Sequence, residues 1–435
     1  MKRRLGIAAL AAVLLAGGLL WGLEARRESV LTVGVYAGSY WQTPNGDCYQ
    51  ILDDAIALFQ ERRPGVRVEY VSGIPTDDYS EWLAGRILKG TEPDLCFILP
   101  EDFNLLASSG ALAELDGFMA SDVEFDAGAY YEPCLRAGRL GGKQYALPQE
   151  SVPTIMFVNK TLLESRGIPL PDNRWTWEDF YDICARVTDL DSRTFGVYDY
   201  TWQNALYANG ASLFSEDGTA CCLADERVQA AVRFAKSLTD LNGGYTVTAR
   251  DFDLGRVAFR PFLFSEYRAY QPYPWRVRKY SGFEWDCVCM PAGPDGDNVS
   301  ELRTMLLGIS ARSGHRELAW ELARLLSADD AVQSELYAYS HGISPVRRVA
   351  ENARDLDLPG SFPAELIREI MSTAVTAPRF ERSDQAMMMA ESAVAEAGDQ
   401  EQRMLIAQRE INVFLNQRQS SSREAKACSK PEHRF

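Results

Sequence analysis

Gly141-Gly142-Lys143-Gln144-Tyr145-Ala146-Leu147-Pro148-Gln149-Glu150-Ser151-Val152-Pro153-Thr154-Ile155-Met156-Phe157-Val158-Asn159-Lys160 is the stretch whose reading decides the fold. Two glycines make a turn. A short apolar run then meets Pro148, whose ring stiffens the backbone and removes a donor. Polar Gln149, Glu150 and Ser151 come next, and after Pro153 the run Ile155 to Val158 is rich in strand-favouring residues. Such a segment reads as a crossing between two compact bodies, with polar side chains left at the crossing and a ligand bound between the bodies.

The rest of the chain agrees with two bodies. Its 435 residues exceed one ordinary core, and 46% apolar content supports packed globular structure. A net charge of -16 argues against a nucleic-acid surface, which needs a basic stripe. Lys2, Arg3 and Arg4 precede Leu5 to Leu23, a stretch without charge. Residues 1–29 therefore read as a signal peptide or an N-terminal membrane anchor. No cysteine stands near residue 23, so the chain is not read as a lipoprotein. The nine cysteines form no CxxC pair, which supports neither a zinc cluster nor a redox motif. Cys96, Cys287 and Cys289 read as small buried hydrophobes.

Downstream of residue 30 the elements alternate. Leu31–Ala37, Val66–Val71 and Pro93–Leu99 read as strands. Helices are expected from Cys48 to Arg63 (Ile51, Ala55, Leu58 and Phe59 inward) and from Tyr79 to Leu88 (Trp82, Leu83, Ile87 and Leu88 inward). This β-α-β-α-β order predicts a parallel-rich sheet flanked by helices. Thr176, with Asp179 three residues on, is an N-cap. The segments near 291–300 and 341–346 are further candidate crossings, which makes a three-segment hinge. The expected partition is 30–147 with 298–341 as lobe I and 148–297 with 342–418 as lobe II. Residues 419–435 read as a disordered tail.

The order of local patterns resembles the carbohydrate-type extracellular solute-binding proteins of ABC importers (maltose-binding-protein-like). The patterns are Pro93-Asp94; Gly142 to Pro148 with Asn159-Lys160; Trp175 to Phe180; Gly255 to Phe259; and Trp285-Asp286-Cys287 with Pro291 to Gly296 and Gly308 to Ser310. The resemblance implies an α/β, two-lobe periplasmic-binding fold of type II. It also implies a monomer that takes up a saccharide without a cofactor and delivers it to ABC permease subunits by hinge closure. Two departures alter the usual sugar site: Arg260-Pro261-Phe262-Leu263-Phe264 lacks a Gly-Trp pair, and Leu302-Arg303-Thr304 stands where Gly-Gly is usual. The alternatives are an anchored sensor feeding a receptor kinase without transport, and a surface adhesin.

A sugar site wants aromatic faces and in-plane polar groups. Open parallel sheets place ligands outside the carboxyl ends of their strands. The candidates are Tyr40 and Trp41, Glu101 (with Asp102 as helix-start charge), Gln149 and Glu150, Trp202 and Gln203, Tyr273 and Trp275, and Arg303. Arg303 is either a binder of a ligand carboxylate or phosphate or a solvated charge before a strand. Trp175 and Trp177 read as packing residues. With three histidines and no Ser/His/Asp order, HExxH, P-loop or dinucleotide fingerprint, the residues point to a binder, not an enzyme.

Overall fold

A computed structural model describes residues 29–41, 49–270, 282–352, 364–378, 380, 382–396 and 399–428. The N-terminal hydrophobic stretch, Tyr273 and Trp275 lie outside the described residues.

Strands β1 (Ser29–Gly34), β2 (Val66–Tyr70) and β3 (Leu95–Ile98) pair in the order β2-β1-β3, all parallel. Parallel neighbours need a crossover, and helices Gln50–Arg62 and Thr76–Lys89 provide one each. The first helix buries Leu52, Ala55, Ile56 and Phe59, a stripe turned slightly from the expected one. The second buries Tyr79 and Leu83. Leu88, expected inward, is 87% exposed in the last turn, before Gly90 ends the helix at a φ of 66°. Pro93-Asp94 has a structural purpose. Asp94 Oδ2 accepts from Thr32 N at 2.8 Å and Thr32 Oγ1 at 2.7 Å, and Oδ1 accepts from Ser313 Oγ at 2.6 Å. One carboxylate thus ties β1, the start of β3 and a distant segment together.

The crossing stretch begins with the hairpin β4 (Arg139–Leu140) and β5 (Lys143–Gln144). Its turn glycines, Gly141 and Gly142, take φ of 57° and 81°. Then β6 (Ala146–Asn159) runs for 14 residues, all buried. The remaining strands are β7 (Phe195–Val197), β8 (Val257–Leu263), β9 (Trp285–Val288) and β10 (Leu302–Ile309). The Ala146–Pro153 half of β6 pairs antiparallel with β10, which also pairs antiparallel with β3. From Thr154 on, β6 pairs antiparallel with β8 and β9, and β7 lies parallel to β8. One strand therefore belongs to both lobes. The β10–β6 ladder carries a bulge: Met305 faces Glu150 and Leu306 faces Pro148, so Gln149 has no partner.

Two apolar clusters result. The larger fills the first lobe and continues onto one face of the second sheet through Phe157, Phe252 and Phe262. The other packs Met156, Val158 and Phe259 against Trp177, Phe180, Ala386, Ala390 and Ile411.

The crossings differ from expectation at the third. At the first, β6 changes partners near Pro153, and Thr154 N donates to Glu301 O at 2.8 Å. That places 298–302, the second crossing, beside it. Ile343 does bridge Ser151, through mutual backbone bonds of 3.0 and 2.8 Å. The chain does not cross there, however. Tyr131 N donates to Pro345 O, Tyr131 Oη donates to Glu351, and Val346, Ala350, Ile367 and Met371 join the first-lobe cluster. The chain passes over only after Val375, which bridges Glu301. Phe380 then packs on the second cluster. Residues 342–352 and 364–374 thus belong with lobe I instead of lobe II, because Gly342 packs against Glu150 and Ile343 bridges Ser151 of β6 without the chain passing over. At the far end, the last helix runs Gln400–Cys428. Residues 419–428, expected to be disordered, are therefore helical.

Candidate functional site

The β2-β1-β3 order brings three strand ends together at one edge, and the loops there are tied to one another. Ala37 N donates to Ile74 O at 2.6 Å, and Thr76 Oγ1 donates to Ala37 O at 3.1 Å. The loop after β1 is thereby fixed to the start of helix Thr76–Lys89. Between them opens a cavity of about 500 Å³. Ser39, Tyr40 and Trp41 form one wall, and Thr76, Asp77 and Ser80 from the first turns of the helix form another. Leu99 and Glu101 enter from the end of β3 and Arg303 from β10, while Leu263 of β8 is the second lobe's contribution.

The chemistry is mixed. Tyr40 Oη donates to Glu101 Oε2 at 2.7 Å, which orients both groups. The Tyr40 and Trp41 rings meet edge to face, with centroids 4.9 Å apart. Asp77 and Glu101 are carboxylates and Arg303 is a guanidinium, so the wall carries two negative charges against one positive. Asp102 lies just behind. Burial pushes its carboxyl up, and the hydrogen bond from Ser80 Oγ, at 2.6 Å, works against that shift.

Of the residues read from the sequence, Tyr40, Trp41, Glu101 and Arg303 come together at this cavity. Trp41 is only 2% exposed. Its indole Nε1 donates to Glu150 Oε2 at 2.8 Å. Glu150 itself is buried behind the wall and does not line the cavity. Its Oε1 accepts from the Gly342 amide at 2.5 Å and from Ser340 Oγ. Burial raises the Glu150 carboxyl, and the donors from Ser340, Trp41 and Gly342 oppose the rise. Gln149 is buried too, and its carbonyl accepts from Gln333 Nε2 at 3.1 Å.

Trp202 and Gln203 stand apart from this cavity. Trp202 opens a helix capped by Thr201 and Asn204 and packs in the second cluster. Gln203 Nε2 donates to Glu391 Oε1 at 2.9 Å on an exposed surface. Trp175 and Trp177 pack as read: Trp175 Nε1 donates to Cys289 O, and Trp177 stacks on Phe234 at 4.2 Å. The Thr176–Asp179 capping box is also present. Ser39, Thr76, Asp77, Ser80, Leu99 and Leu263 were not anticipated. Tyr40 and Glu101 are found by inspecting the residues just past the carboxyl end of each strand, and the same inspection of β2 leads equally to Thr76 and Asp77. Among the described residues, no group of three or more His, Cys, Asp or Glu side chains is arranged to hold a metal ion.

The family model for bacterial extracellular solute-binding protein matches residues 43–333. A galactooligosaccharide-binding protein of Bacillus subtilis (strain 168) is 24% identical over 313 residues, which are 69% of this chain and 71% of that protein. An erythritol/L-threitol-binding protein of Mycolicibacterium smegmatis is 24% identical over 396 residues, 80% of each. Among solved structures, the cyclic alpha-maltosyl-1,6-maltose binding protein from Arthrobacter globiformis superposes with a TM-score of 0.74 at 17% identity. That match covers 89% of this chain and 99% of the other.

Proposed function

The chain belongs to the bacterial extracellular solute-binding proteins, and we propose that it captures an uncharged saccharide or polyol at the cavity beside Trp41. The observation that carries this reading is the wall itself. An edge-to-face aromatic pair stands beside two carboxylates and one guanidinium. Carboxylates accept from ring hydroxyls and the guanidinium donates to them, while the partly exposed Tyr40 ring, backed edge to face by the buried Trp41, meets the apolar side of the sugar. The excess of negative charge disfavours an acidic sugar, so Arg303 serves here as a donor to hydroxyls and not as a counter-ion. Binding proteins of this family serve importers, and the names of the two relatives fit the ligand class. On this reading the chain is a binder without a catalytic step. Closing of Leu263 and its lobe over the ligand presents it to a membrane permease, since a ligand touching both lobes shifts their open–closed equilibrium.

A thermal-shift screen tests the reading. Neutral oligosaccharides and tetritols are expected to raise Tm, and galacturonate and glucuronate are expected to leave it unchanged. A shift with the uronates alone, or with no member of the set, would overturn it. Small-angle scattering with the best ligand is expected to show compaction.

A further inference from the structure

The structure assigns Glu150 the role of a positioning residue that holds Trp41 in the cavity wall and locks it to the Ser340–Gly342 segment beside the crossing. The inference rests on the proposed function only in what Trp41 is positioned for. The geometry stands by itself.

Four observations carry it. First, the Glu150 side chain is 5% exposed, and its oxygens are taken up by donors from three residues that are far from it in sequence. A buried carboxylate persists only with such partners. Second, the two oxygens divide the work. Oε2 serves the Trp41 indole at 2.8 Å, and Oε1 serves Ser340 and the Gly342 amide. A single planar group therefore fixes the distance between the cavity wall and that segment. Third, position 342 leaves no space for any other residue. A Cβ there would lie 2.3 Å from Glu150 Cγ and 2.4 Å from Oε1. Fourth, Trp41 is held from the second lobe as well. Its carbonyl accepts from Ser265 Oγ at 3.3 Å, and Ser265 belongs to helix Phe264–Tyr270, whose Arg268 favours the charged form of Glu150. Trp41 is thus the point where the cavity wall, the crossing strand and the other lobe's helix meet. Movement of the crossing reaches the wall through Glu150.

Glu150→Gln keeps the volume, turns an amide NH2 toward one set of donors and, by losing the charge, weakens the bonds from the other. Trp41→Phe removes the indole donor and leaves one oxygen of Glu150 unfilled. The first readout needs no ligand. The Trp41 indole signal, assigned by its loss in Trp41→Phe, is followed for solvent exchange by NMR, and backbone exchange is followed at residues 340–343. Glu150→Gln is expected to speed exchange at both places by about tenfold or more, the scale of one charge-assisted hydrogen bond. Trp41→Phe is expected to speed it at 340–343. Loosening confined to 340–343 in Glu150→Gln, or no change there in Trp41→Phe, overturns the proposal. The second readout is the affinity for maltotetraose in both single variants and the double variant. Losses that fail to add support the coupling, and additive losses refute it. Should the wild type bind no maltotetraose, the exchange data alone decide the role of Glu150.

Discussion

The two lobes turn very different surfaces toward the cavity. The first supplies nine of its ten lining residues, from strand β10 and from loops and a helix start, of which the loop after β1 and the helix start are bonded to one another. The second supplies Leu263, and its most conspicuous aromatic, Trp202, is spent on its own core. The contrast separates two jobs. On the proposed function, the first lobe has the groups that would recognise a ligand, and the second has an apolar side chain that would close over it.

Four measurements sharpen or break that contrast. The largest effect is expected from Trp202→Ala. Removing a buried tryptophan costs about 3–5 kcal/mol of stability in urea unfolding, and sugar affinity at low temperature should be unchanged. A parallel loss of affinity would return Trp202 to the site. Next is Trp41→Ala, expected to weaken binding by about 2 kcal/mol, roughly thirtyfold in Kd by calorimetry. Unchanged affinity would remove the aromatic wall from the binding site. Arg303→Met is expected to cost about 1 kcal/mol of affinity for a neutral saccharide. Improved binding of that saccharide would show the guanidinium to be a charge the site tolerates and does not use.

The smallest effect lies inside the first lobe, at the packing of helices Gln50–Arg62 and Asp330–Tyr339. Glu335 is raised from 4.5 to about 7, by burial first and then by its hydrogen bond and repulsion with Asp54. A folded-state pKa above the unfolded one means that the folded protein holds this proton more tightly. The stability it contributes is full below about 4.5 and is lost as pH rises through about 7. The urea midpoint is therefore expected to fall between about pH 5 and pH 8, and Glu335→Gln should reduce the fall. An undiminished fall in that variant would assign it to other groups.

Much of this was legible in the chain. The alternation of strands and helices, the Thr176 cap and the apolar stretch of residues 141–160 with its turn glycines are local facts. Turn chemistry, capping and periodicity act over a few residues and leave their mark in order. Four of the cavity's residues were legible too: Tyr40, Trp41 and Glu101 because they lie just past strand ends, and Arg303 because it stands where a smaller residue is usual. What escaped reading depends on partners far away in sequence. Glu150 looked like a ligand group until its three distant donors were placed around it. Gly342 and Pro345 looked like a passage between lobes, although Gly342 is small because Glu150 sits against it. Trp202 looked like an aromatic platform, and only tertiary packing shows that it stands apart from the cavity with its face covered.

The unpaired Gln149 sets the parity of the whole crossing. Side chains on a strand alternate faces, so one extra residue reverses the alternation between the two sides of the bulge. Glu150 faces the donors from Trp41 and Gly342 while Ala146 and Leu147 keep their places in the first-lobe core. Deleting Gln149 would complete the ladder with β10. It would also force one side of the strand to present its wrong face, either turning the carboxylate away from its donors or turning the core residues outward.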